Sequence, residues 1–119
     1  MSPAKRGDRV APPAAHGLWD LRFATTEAAK GWEELCRVAK PNTLVAYEEL
    51  RQRPAGLAPT RRHHQLKGEL ATGVHNGKVM EQWQYEVTSG GRIWYLVDDV
   101  NHTLWIRHAG TAHPELTDR

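Results

Sequence analysis

Cysteine, phenylalanine and methionine are scarce in this chain of 119 residues, at one, one and two copies. A lone Cys36 excludes an internal disulfide and any cysteine-rich zinc site. On an amphipathic helix it reads as a small buried side chain. No apolar run approaches the length of about eighteen residues that a membrane-spanning helix needs. The first residues are basic and rich in Pro and Ala but have no apolar stretch, which argues against a signal peptide. Cytoplasmic residence is therefore the default expectation, with no membrane partner. Acidic residues are missing altogether between Arg51 and Lys67. A Gly-rich phosphate loop is absent too, and no serine stands in a recognisable nucleophile context.

What is present is one domain's worth of chain, 39% hydrophobic, with five Trp doing much of the apolar burial. The net charge of +2 is too small to imply nucleic acid by itself. Its distribution says more. Arg51, Arg53, Arg61, Arg62 and Lys67, with His63 and His64, make an acid-free basic stretch, the footprint that phosphate contacts require. The acidic residues sit mainly on the predicted helices, as Glu27, Glu33, Glu34, Glu48 and Glu49.

Residues 1–16 have three prolines and little apolar bulk, and are expected to be a mobile tail before a domain over 17–119. Residues 18–23 alternate like a first strand. Thr25 or Thr26 can cap a helix whose apolar face is Ala28, Trp32, Leu35, Cys36 and Ala39. Pro41 ends it and suits the first turn of a second helix, striped by Leu44, Tyr47 and Leu50 or Arg51. Pro54 and Gly56 stop that helix. A short strand over 63–66 and a Gly/Asn turn around residues 73–77 follow.

The last third carries the clearest pattern. Residues 82–87, 92–97 and 103–108 read as three antiparallel strands joined by Ser89-Gly90-Gly91 and by Asp98-Asp99-Val100-Asn101. The fold class this implies is α+β: an N-terminal strand and a helical hairpin packed on a small antiparallel sheet. Trp83, Trp94 and Trp105 fall one on each late strand and suggest a shared aromatic core; one on an open face could stack on a base instead.

Two stretches carry a family likeness. They are Gly91-Arg92-Ile93-Trp94-Tyr95-Leu96-Val97-Asp98 and Leu104-Trp105-Ile106-Arg107-His108-Ala109-Gly110-Thr111-Ala112-His113. With Leu66-Lys67-Gly68 and the order of elements upstream, the chain over about residues 18–118 resembles the RelE/ParE superfamily of bacterial toxins. It differs in lacking a C-terminal tyrosine, with His113-Pro114 near that place, and in having Gln84 or Tyr85 where a basic residue is often found. The resemblance implies a RelE-like fold and the toxin of a type II toxin–antitoxin module. It also implies a metal-independent endoribonuclease that cleaves mRNA on the ribosome, needs no cofactor, and is bound by a cognate antitoxin. A ParE-like DNA gyrase inhibitor, or a non-catalytic interaction domain of the same fold, are the alternatives.

RNA cleavage by a 2′-hydroxyl attacking its own phosphate needs a base, an acid and a charge stabiliser. Histidine can serve as either acid or base near neutrality, and arginine suits phosphate as a planar fork. Arg92, His113, His108, Arg107 and Tyr95 are the candidate catalytic residues. Arg61, Arg62, His63, His64, Lys67 and Tyr85 are the candidates for RNA binding. Arg107 and His108 are neighbours on a strand and point to opposite faces unless a bulge intervenes. The adjacent His63 and His64 diverge in a regular strand and cannot share one metal ion, so no metal site is expected.

Overall fold

Trp19, Leu21 and Phe23 are all buried, as the alternation of their segment demands, and Leu21 and Phe23 lie in β1 (Asp20–Phe23), which Trp19 precedes. The computed structural model describes residues 3–10, 17–52 and 59–111. After β1 come α1 (Thr26–Val38), α2 (Lys40–Leu50), β2 (His63–Gln65), a 3-10 turn over Gly68–Ala71, β3 (Thr72–His75), β4 (Lys78–Glu86), β5 (Arg92–Asp98) and β6 (Thr103–Gly110). The architecture is α+β, with two helices on one face of a six-stranded sheet. The Pro54 and Gly56 stop signals lie outside the described residues.

The sheet order is β1-β6-β5-β4-β2, with β3 pairing β4 beyond the main path. It is mixed rather than purely antiparallel, because β1 runs parallel to β6 with Leu21 opposite Leu104 and Phe23 opposite Ile106. Alternation along β1 is the same for either direction, so its sequence does not reveal the direction of its partner. Of the expected tail over residues 1–16, residues 3–10 lie against β1. Val10 donates its N–H to the Leu21 carbonyl and Phe23 to the Asp8 carbonyl, and Val10 belongs to the core. This segment covers the open edge of β1, which would otherwise offer unpaired backbone groups.

The helices form as their sequence suggests at one end and differently at the other. Thr25 caps α1, its hydroxyl accepting the Ala28 N–H at 2.9 Å. Ala28, Ala29, Trp32 and Leu35 are its buried residues. In α2 the buried residues are Thr43, Ala46, Tyr47 and Leu50, while Leu44 is 59% exposed. The expected stripe was therefore partly misplaced: small Ala46 and Thr43, whose hydroxyl bonds the Leu35 carbonyl, let α2 approach α1.

Asn76 and Gly77, both at positive φ, make the tight turn between β3 and β4. Such a pair suits a two-residue hairpin with the right-handed twist of its strands. The sequence signals a turn here but not β3 itself, whose mostly exposed residues Thr72–His75 lack the marks of a buried strand.

β5 is buried at every position and is the spine of the sheet. Ile93, Tyr95 and Val97 face the helices, together with Trp83 and Tyr85 of β4, Val87 just beyond it, and Leu104, Ile106 and Ala109 of β6. Trp94 and Leu96 are buried but lie outside that cluster, on the opposite face. The tryptophans therefore do not share one core: Trp83 faces the helices, and Trp94 and Trp105 face away.

Helix α1 lies directly on β6. A Cβ on Gly31 would collide with the Ala109 carbonyl oxygen. Gly31→Ala should gain about 1 kcal/mol of helix propensity yet lose more through overpacking against backbone. We expect net destabilisation of about 1–3 kcal/mol as a lower urea midpoint. A midpoint that rises would show that α1 stands off the sheet.

Candidate functional site

The face of the sheet away from the helices is where the chemistry-bearing residues meet. Its decisive feature is an irregularity in β6. Trp94 pairs with His108 and Tyr95 with Ile106, so Arg107 is an extra residue, a β-bulge. Leu104 and Ile106 face the helices, and so does Ala109, three residues beyond Ile106. Arg107 and His108 are consequently both turned to the outer face.

The registers place a polar row across this face. His64 is opposite Gln84, Gln84 opposite Trp94, and Trp94 opposite His108. The Trp94 indole N–H donates to Gln84 Oε1 at 2.8 Å, and its ring meets the His108 ring edge-on at 6.1 Å. His64 and His108 are three strand spacings apart, about 14 Å. That is too far for them to serve one scissile phosphate as acid and base, which act within about 3 Å of the proton they move. His108 and the neighbouring Arg107 form the compact pair, and His64 stands apart from them.

Arg107 is exposed at the surface and donates through Nη1 to Gln82 Oε1 at 3.3 Å. Gln82, only 2% exposed, donates in turn to the Leu70 carbonyl. The head of Arg107 is thereby held near the sheet while keeping most of its donors for a ligand.

Arg92 is placed differently from its expected role. It is 6% exposed, and its Nη1 donates to the carbonyls of Thr88, Ser89 and Gly91 while Nη2 pairs with Glu86 at 3.0 Å. It clamps the β4–β5 turn. A guanidinium so committed has little left for a phosphate.

Tyr95 and His63 meet on the helix side, not on the outer face. Tyr95 is fully buried, and His63 Nε2 contacts its hydroxyl. Burial raises the Tyr95 phenol far above its usual value and lowers His63 to about 4, with Glu49 opposing and His64 adding to the latter shift. A buried Tyr95 reaches no substrate, and a buried neutral His63 is a core residue, not an RNA contact. Tyr85 also faces the helices, its hydroxyl donating to Glu49. Burial first, then this bond to Glu49, raises its pKa.

The RNA-binding candidates thus divide. Arg61, Arg62 and Lys67 are exposed and His64 is half-buried, whereas His63 and Tyr85 are packed inside. Arg62 lies 3.5 Å from Glu86, an exposed pair of small energetic weight. His113 lies outside the described residues. Among the described residues no group of three or more His, Cys, Asp and Glu is placed to hold a metal ion.

A cleft of about 540 Å³ between α2 and the β2–β4 edge includes Glu49, Arg62, His63 and Tyr85. Its titratable groups are held in states that suit proton transfer poorly. Its histidine gives up its proton near pH 4 and its tyrosine holds its own too tightly. The bulge on β6 sets an imidazole beside a guanidinium instead.

Two outcomes follow from this geometry. His63 has a folded pKa below its unfolded value of about 6.5, so its stabilising contribution is complete above pH 6.5 and fades as pH falls towards 4. Urea titrations from pH 8 to pH 4.5 should show that loss, and His63→Gln should make the pH dependence shallower; an unchanged slope would exclude His63 as its source. Arg92→Met should lower stability by about 3 kcal/mol, because it leaves Glu86 and the turn carbonyls without their donor. Native-like stability in that variant would reopen Arg92 as a group available to ligand.

Comparison with family models, with curated proteins and with solved structures finds no match, and the reading of this face rests on its own geometry.

Proposed function

We propose that the protein is the toxin of a type II toxin–antitoxin module, a RelE-like, metal-independent endoribonuclease that stops translation by cutting mRNA on the ribosome. The observation that carries this reading is the β6 bulge, which sets a guanidinium and an imidazole side by side on the sheet face away from the helices. In the proposed reaction a 2′-hydroxyl loses its proton and attacks the adjacent phosphorus, and the bond to the 5′-oxygen breaks. The products are a cyclic 2′,3′-phosphate end and a 5′-hydroxyl end. His108 carries one of the two protons and His113, a few residues further along, carries the other. Arg107 lies against the charge that builds on the phosphate oxygens.

Arg61, Arg62, His64 and Lys67 then serve as the backbone contacts along the edge of the same sheet. So sparse a catalytic set suits an enzyme whose substrate is positioned by a larger particle. The cognate antitoxin is the implied partner, covering this face in the resting complex.

Primer-extension mapping of transcripts after brief induction without antitoxin tests the reading. Codon-phased cuts should appear, and protein synthesis should stop before DNA synthesis. His108→Ala and Arg107→Ala should each slow cleavage about 10²-fold or more, with unchanged thermal melting because both side chains lie outside the main core. Intact messages with failing DNA replication would instead indicate a gyrase-directed toxin. Full toxicity in both variants would leave the bulged pair without a role.

A further inference from the structure

Next to the bulge, on the side of Arg107 away from the polar row, lies a second basin of about 460 Å³. Its walls come from parts of the chain far apart in sequence: Arg6, Thr25 and Glu27 near the start of α1, His75 and Asn76 at the β3 turn, and Arg107. We infer that this basin is a phosphate subsite for a single-stranded RNA backbone, held by Arg6, His75 and Arg107, which seats a nucleotide flanking the one cleaved. This deepens the nuclease reading and rests on it for the identity of the ligand.

The charge arithmetic favours an anion. Two guanidinium groups face the basin against the single carboxylate of Glu27. Neither arginine forms an ion pair among the described residues; Arg107 has only the neutral Gln82 as a side-chain partner. The lining thus carries two positive groups against one negative one, a balance that suits an anion. The local field shows the same sign at His75. Its pKa is lowered chiefly by burial and then by Arg6 and Arg107, with Asp98 opposing.

The basin is shaped for a guanidinium as well as charged. Arg107 passes over Gly73 of β3, where a Cβ would collide with its Nη1 and with Leu96. The hairpin bearing His75 is in turn anchored by the His75 ring, tilted at 32° against Trp105 with ring centroids 4.1 Å apart. Arg107 stands at the junction of the bulged pair and the basin, so one backbone can run from one to the other. Successive phosphates then meet Arg107 and Arg6 in order.

The test uses the full chain and a 2′-O-methyl RNA hexanucleotide, which binds but lacks the attacking hydroxyl. Affinity is measured by fluorescence anisotropy over a salt series for the wild type, Arg6→Gln and Arg37→Gln. The last removes an exposed arginine already paired with Glu34 on α1. Arg6→Gln should weaken binding roughly fivefold or more and reduce the salt slope by about 0.7, the loss of one phosphate contact on a single strand. Arg37→Gln should match the wild type. In a parallel arm, inorganic phosphate should shift the amide resonances of Thr26, His75 and Asn76, and Arg6→Gln should abolish the shift. An unaltered salt slope in Arg6→Gln overturns the proposal. Phosphate shifts without matching shifts from the hexanucleotide overturn the RNA assignment. Binding lost in Arg6→Gln while the wild type fails to cleave an unmodified transcript sinks the nuclease reading alone and leaves the subsite standing.

Discussion

One extra residue in β6 governs how the two faces of this sheet are composed. Leu104 and Ile106 point to the helices, and strict alternation would send His108 after them into an apolar layer containing Trp32 and Leu35. An imidazole there would need a buried partner. The bulge at Arg107 delays the alternation by one step, so that small Ala109 arrives on the helix side instead. Ala109 then lies under Gly31, and α1 can rest directly on the strand. The same step leaves a guanidinium and an imidazole together on the other face. Close helix packing and the pairing of Arg107 with His108 on the other face are therefore two results of one backbone feature.

Polar groups that fold into the interior are matched to partners, which explains why several of them cannot serve a substrate. Arg92 spends its donors on the carbonyls of its own turn and on Glu86. His63 and Tyr95 satisfy each other, and burial keeps both neutral at ordinary pH. Gln82 is fully engaged by Leu70 and Arg107. At the surface are Arg107 and the basic edge at Arg61, Arg62 and Lys67, with His64 and His108 half-buried beside them. The division follows a physical rule: a buried charge or dipole without a partner is costly, so polar residues inside are matched to structural partners.

Where sequence reasoning succeeded, the signal was local. Thr25 as a cap, Pro41 in the first turn of α2, the buried alternation of β1 and the late hairpins all depend on residues close together in the chain. It failed where a choice depended on a distant neighbour. Leu44 looked like core and is exposed, since the face of α2 that meets α1 is selected by the small Thr43 and Ala46. The tryptophans looked alike in sequence, but Trp83 and Trp94 sit on opposite faces because they are registered in adjacent strands with opposite parity. β3 was missed because it owes its strand form to β4 and its two-residue turn, not to its own apolar content.

The chemistry divides along the same line. Sequence by itself determined the α+β class, the acid-free basic stretch and the concentration of Arg and His at the end of the last strand. These are matters of composition and short-range periodicity. Only the tertiary structure decided that Arg92, Tyr95 and His63 are occupied inside, that Arg107 and His108 share a face, and that Arg6 joins Arg107 across a basin. Each of those outcomes depends on register, on a one-residue bulge or on a contact between distant segments. A one-residue change in parity exchanges every side chain between core and solvent, and no pattern within a single strand records which partner will set it.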